Sequence, residues 1–134
     1  MDKNKIDNLI THLMAISHYA KDIHYNCSGD NFYSSHLFAD RITDNLNDYI
    51  DQVKEICLLG HKISPLHSDE YLSRAAKLVP TGADFRQMRE LLTDTLEIIE
   101  HITGVSKGDD NLLGAIAQDL QNNIGLINIM YGDK

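Results

Sequence analysis

Five side chains able to ligate a metal ion stand at His24, His36, Asp40, Asp51 and Glu55. Their spacing assigns them to helix faces. An α-helix turns about 100° and rises about 1.5 Å per residue. With His36 as the zero of angle on one long helix, Asp40 falls at about 40°, Asp51 at about 60° and Glu55 at about 100°. Phe38, Ile42, Leu46, Tyr49, Ile50, Val53, Ile56 and Cys57 fall at roughly 200° to 320°, on the other side. The imidazole and carboxylates therefore share the face turned away from the core. His36 and Glu55 would be about 28 Å apart along the axis, too far for one metal centre. His36/Asp40 and Asp51/Glu55 read as two half-sites. An isologous two-fold contact with a second copy of the chain would bring them together.

These residues need a scaffold, and the periodicity predicts an all-helical one. No stretch has a convincing period of two. Ile6, Leu9, Leu13, Ile16, Ala20 and Ile23 mark a first helix. Cys27-Ser28-Gly29-Asp30-Asn31 is turn chemistry, with Asp30 or Asn31 able to cap the next helix. A second helix is predicted from about Phe32 to Leu59, stopped by Gly60. Pro65 and Pro80 bracket a short helix over Ser68 to Leu78. Phe85, Met88, Leu92, Leu96, Ile99 and Ile102 mark a third long helix. Gly104 to Gly108 is a tight connection, and Leu113, Ile116, Leu120, Ile124, Ile127 and Tyr131 mark a fourth. Four long helices with a long middle connection describe a ferritin-like four-helix bundle whose crossover contains the short helix.

The chain has 134 residues, 43% of them hydrophobic and 24% charged, enough for one domain over 1–134. No basic patch followed by an apolar segment opens it, and no apolar run approaches the roughly 20 residues that span a bilayer. A cytoplasmic protein with no membrane partner is the expectation. The net charge of −8 argues against a general nucleic-acid binder, which needs cations to displace counterions from phosphate. Cys27 and Cys57 make no disulfide framework; Cys57 falls on the apolar face as a small buried thiol.

From Lys21 to Gly60 the chain resembles the miniferritins of the Dps family, DNA-protecting proteins from starved cells. The family pattern is His-Trp-Asn-x-x-Gly-x-x-Phe-x-x-x-His-x-x-x-Asp, then an Asp and a Glu one turn apart. Here it reads His24-Tyr25-Asn26, Gly29, Phe32, His36, Asp40, Asp51 and Glu55, followed by Leu59-Gly60. The resemblance implies a ferroxidase centre between two subunits. His24, His36 and Asp40 of one copy would face Asp51 and Glu55 of the other. It also implies oxidation of ferrous iron, typically by hydrogen peroxide, and storage of ferric iron in a homo-oligomeric cage of twelve subunits. Such a nitrogen and oxygen ligand set suits iron and would accept zinc or manganese in its place.

Three features depart from the family. Tyr25 replaces the usual tryptophan, Ile56 replaces a usual basic residue, and the basic tail that many members use to hold DNA is missing. DNA binding is therefore not carried over. Taken singly, His24 also reads as a helix-end residue bonded to backbone. Asp44 and Asp48 read as solvated or interface charges, and His12, His18, His61, His67 and His101 as surface or interface histidines. Glu97, Glu100 and His101 lack the Glu-x-x-His spacing of larger ferritins. Two alternatives stay open: a helical assembly that binds metal without turnover, and a scaffold whose acidic stripe only makes subunit contacts.

Overall fold

A computed structural model describes residues 1–132. The chain is all-α, with no strand among the described residues. In order come α1 (Lys3–Asn26), α2 (Phe32–Thr43), α3 (Leu46–Glu55), a π-helical turn (Ile56–Gly60), α4 (Ser68–Leu78), α5 (Phe85–Glu100) and α6 (Lys107–Met130).

Side-chain caps start three of the six α-helices. The Asp2 carboxylate accepts from the amides of Asn4 and Lys5 and starts α1. Asp84 does the same for α5 through Arg86 N, and Ser106 for α6 through Asp109 N. Asn31 precedes α2 but makes no side-chain cap bond.

The second long helix is not continuous, contrary to the expectation from periodicity. It breaks at Asp44–Asn45, where Asn45 adopts the left-handed conformation, φ 69°. Asn enters that region more readily than other residues with a Cβ because its short side chain is polar and can interact with the local backbone. Ile42 and Leu46 are buried on either side of the break, so the apolar phase carries across it. The stop also differs from expectation. Backbone Ile63 N bonds back to Cys57 O at 2.9 Å, and the left-handed residue there is Lys62, φ 58°, not Gly60.

The core forms around α1, which packs against α2, α3, α4 and α5, while α5 packs against α6. Leu9, Ile10, Leu13, Ile16 and Tyr19 are fully buried there. A polar clamp holds α4 to this core. The Tyr71 hydroxyl donates to Asp7 Oδ1 at 2.6 Å and accepts from Leu66 N at 3.1 Å. Lys3 Nζ lies 2.7 Å from the same carboxylate, which is 4% exposed as a residue. Burial first, and the bond to Asp7 second, push the Tyr71 phenol up from its ordinary pKa.

Candidate metal centre

The two histidines of the sequence pattern meet. His24 sits in the last turn of α1 and His36 in the first half of α2, across the turn between them. Their rings stack with centroids 3.5 Å apart and planes 20° apart. Each ring bonds the other residue's backbone: His24 Nδ1 lies 2.8 Å from His36 O, and His36 Nδ1 lies 2.7 Å from His24 O. A carbonyl oxygen can only accept, so each Nδ1 carries its proton. In the neutral rings each Nε2 then presents a lone pair. This is how a metal-binding histidine is commonly held in the ligating tautomer. The helix-end role of His24, a bond to backbone, and the ligand role thus use different nitrogens of one ring.

Asp40 lies one helical turn beyond His36, on α2. It is engaged by Lys21, whose Nζ is 2.9 Å from Oδ1, with both side chains about half exposed. The hydrogen bond from Lys21, and then its charge, hold the Asp40 carboxyl below the usual carboxylate range. The same bond raises the Lys21 ammonium. The sequence pattern does not single out Lys21, although it stands one turn before His24 on α1.

Asp51 and Glu55 both belong to α3 and keep their one-turn spacing. Both are exposed, and neither carboxylate makes a side-chain hydrogen bond or ion pair among the described residues. The break at Asn45 places them on a different helix from His36 and Asp40, so the angles worked out for one straight helix do not relate the two pairs. Within one chain the structure joins His24 to His36, ties Asp40 to Lys21, and leaves Asp51 and Glu55 apart. Among the described residues no three His, Cys, Asp or Glu side chains converge closely enough to hold a metal ion.

Several large apolar groups near these residues in sequence are exposed. Tyr25 is 74% exposed, Tyr33 71%, Leu37 47%, Leu58 48% and Leu59 64%. Tyr25 meets His24 edge-on at 5.0 Å, and Phe32 stacks on His36 at 5.1 Å. Cys27, half-buried in the turn between α1 and α2, has its thiol 3.8 Å from both His24 O and Phe32 O. Cys57 is fully buried, as its position on the apolar face suggests, and burial raises its thiol pKa.

The remaining histidines with side-chain bonds are occupied elsewhere. His12 and His101 bond carbonyls one turn back, at Asn8 and Glu97. His61 Nε2 lies 3.1 Å from Asp109. No helix among the described residues is long and apolar enough to cross a membrane. No family model and no curated protein matches this chain.

Proposed function

We propose that this chain is a miniferritin of the Dps type that oxidises ferrous iron at sites shared by two copies and stores the ferric product in a cage. Its all-α chain is then a ferritin-like bundle of α1, α2–α3, α5 and α6, with α4 in the crossover. The order and lengths of the helices support this, as does the packing of α1 with α2 and α5 and of α5 with α6.

The observation that carries the reading is the reciprocal His24–His36 pair, which presents two Nε2 lone pairs beside an acidic residue one turn away. Such a pair is half of a coordination sphere. Asp51 and Glu55 are acceptors with no partner of their own among the described residues, and a second copy running the other way would bring them to it. The exposed Tyr33, Leu37, Leu58 and Leu59 supply a reason for that copy to dock, because taking large apolar side chains out of water is favourable.

In the reaction, ferrous ions are the substrate. Two of them each give one electron to hydrogen peroxide, whose O–O bond breaks; with two protons taken up, two water molecules form and two ferric ions remain. The protein's part is positioning and charge. The neutral imidazoles bind through Nε2. Asp40 exchanges the Lys21 ammonium for the metal, and the partner copy's acidic pair offsets the added positive charge as iron is oxidised.

Anaerobic ferrous titration followed by peroxide addition tests this on the assembled protein. Wild type should bind iron and consume peroxide, while Asp51→Ala and Glu55→Ala should keep their helical content and lose oxidation. Unchanged oxidation in both variants overturns the site. Bound metal with no turnover in wild type would instead make it a structural or sequestering site.

A further inference from the structure

One chain holds only part of the proposed metal sphere. His24 and His36 stack between α1 and α2, Asp40 is bonded to Lys21, and Asp51 and Glu55 stand on α3 without a partner among the described residues. No three such groups converge among the described residues. An ion that takes ligands from two copies binds the pair better than either copy alone, so it also draws the pair together.

The seam is charged against itself when no metal is bound. Between Phe32 and Glu55 the chain carries five carboxylates, Asp40, Asp44, Asp48, Asp51 and Glu55, against two cations, Arg41 and Lys54, which leaves −3 per copy. Lys54 is turned to α4, its ammonium 5.2 Å from the centroid of the Tyr71 ring. At each shared site Asp40, Asp51 and Glu55 would oppose Lys21 alone, a net −2 that one divalent ion cancels. The acidic pair cannot leave the seam with its helix. Val53 and Cys57 of the same stretch are fully buried, and Tyr49 OH donates to Asp119 Oδ2 on α6 at 2.6 Å. Like charges held together across an interface oppose its closure.

We propose that divalent metal controls the association of this chain: metal-free copies repel along the α2–α3 seam, and metal loading closes the two-fold contact. The inference rests on the reading that two copies share the site, and not on the oxidation. The coupling is reciprocal, so association raises metal affinity by the factor by which metal tightens association.

Sedimentation equilibrium of the full chain, stripped with a chelator and then titrated with zinc, tests it. Zinc takes imidazole and carboxylate ligands and has no redox chemistry, so iron turnover plays no part. Coupling between two sites is typically about 5–150-fold and an isologous contact repeats each site, so saturating zinc should tighten the contact's dissociation constant by about 25-fold or more. Magnesium at the same concentration should do far less, because it keeps its waters and prefers oxygen ligands to imidazole. Asp51→Asn/Glu55→Gln removes the repulsion and the ligands together. It should associate without metal at least as tightly as wild type, and should ignore zinc. Equal dissociation constants in chelator and in zinc overturn the proposal, as does a zinc response that survives in this variant or a variant that associates more weakly than metal-free wild type. The two ideas fail separately. Iron oxidation by a protein whose mass ignores metal removes this control and leaves the proposed function, whereas zinc-dependent mass without iron oxidation supports the control and removes the oxidation.

Discussion

If two copies meet as proposed, replacing exposed leucines near the half-sites in sequence should dissolve the contact without harming the fold. Leu37 is 47% exposed and Leu59 64% exposed in the single chain. Complete burial of a leucine contributes about 1.5–3 kcal/mol. Covering the exposed fraction of Leu37 is then worth about 0.7–1.4 kcal/mol, and that of Leu59 about 1–1.9 kcal/mol. An isologous contact uses each residue twice, so Leu37→Ser/Leu59→Ser should weaken association by about 3–7 kcal/mol. At about 1.4 kcal/mol per decade this is roughly two to five decades in dissociation constant. Sedimentation at falling protein concentration should show the variant dissociating where wild type stays associated, with helical circular dichroism unchanged. Iron oxidation should fall with dissociation and return at high protein concentration, because all five ligands are still present. A variant that keeps wild-type mass at submicromolar concentration refutes the placement of the contact. A variant that dissociates yet oxidises iron at full rate refutes the shared site.

Other expectations rest on single contacts. Tyr71→Phe removes a hydrogen bond to a buried carboxylate and orphans Leu66 N; a bond to a charged group is worth about 1.5–3 kcal/mol, so the melting temperature should fall by several degrees. A variant that melts with wild type would mean that the clamp contributes nothing net. Raised folded pKa values at Tyr49 and Tyr71 give stability that is complete below the unfolded phenol value near pH 10 and is lost as pH rises beyond it. Denaturant midpoints should therefore be flat from about pH 8 to 9.5 and fall above about pH 10, and the fall should be shallower in Tyr49→Phe. Lys21→Met frees Asp40 from its ion pair and removes a cation next to the histidines, so cobalt or zinc should bind more tightly. Weaker binding would show that Lys21 orients Asp40 for the metal instead of competing for it.

The helices were legible because their apolar residues follow the 3.6-residue period closely. Ile6, Leu9, Leu13, Ile16, Ala20 and Ile23 of α1 are all buried, and α4 spans the Ser68–Leu78 segment that the two prolines bracket. The ligand candidates were legible as residue types and spacings. Their environment was not. The reciprocal backbone bonds of His24 and His36 depend on how the Cys27–Asn31 turn folds α2 back along α1, which no periodicity encodes. Lys21–Asp40 and Tyr49–Asp119 join residues 19 and 70 positions apart and leave no local pattern.

The break at Asn45 is where sequence and structure disagree most, and a backbone test decides between them. Thr43-Asp44-Asn45-Leu46-Asn47-Asp48 carried a signal, since Asp and Asn favour turns over helix interiors. The buried Ile42 and Leu46 hid it, because a kink that preserves the four-residue step preserves the apolar phase. If residues 32 to 59 formed one helix, Asn45→Ala would stabilise it, alanine being the better helix former by up to about 0.7 kcal/mol. With Asn45 left-handed, alanine keeps the Cβ that costs roughly 1–2 kcal/mol there and loses the polar side chain that eases asparagine into that region, while glycine meets no such penalty. Asn45→Gly should then match or exceed wild type in denaturant midpoint and Asn45→Ala should fall below both. The reverse order, alanine above asparagine above glycine, would mean that the helix runs straight and that the two half-sites share one rigid axis. In the broken arrangement the histidines are set by α1 through His24, and Asp51 and Glu55 by the burial of Val53 and Cys57 together with Tyr49–Asp119. Each pair of candidate ligands is then positioned by its own supports, and a change at the break would reach a shared metal site only by altering the angle at which two copies present the pairs to each other.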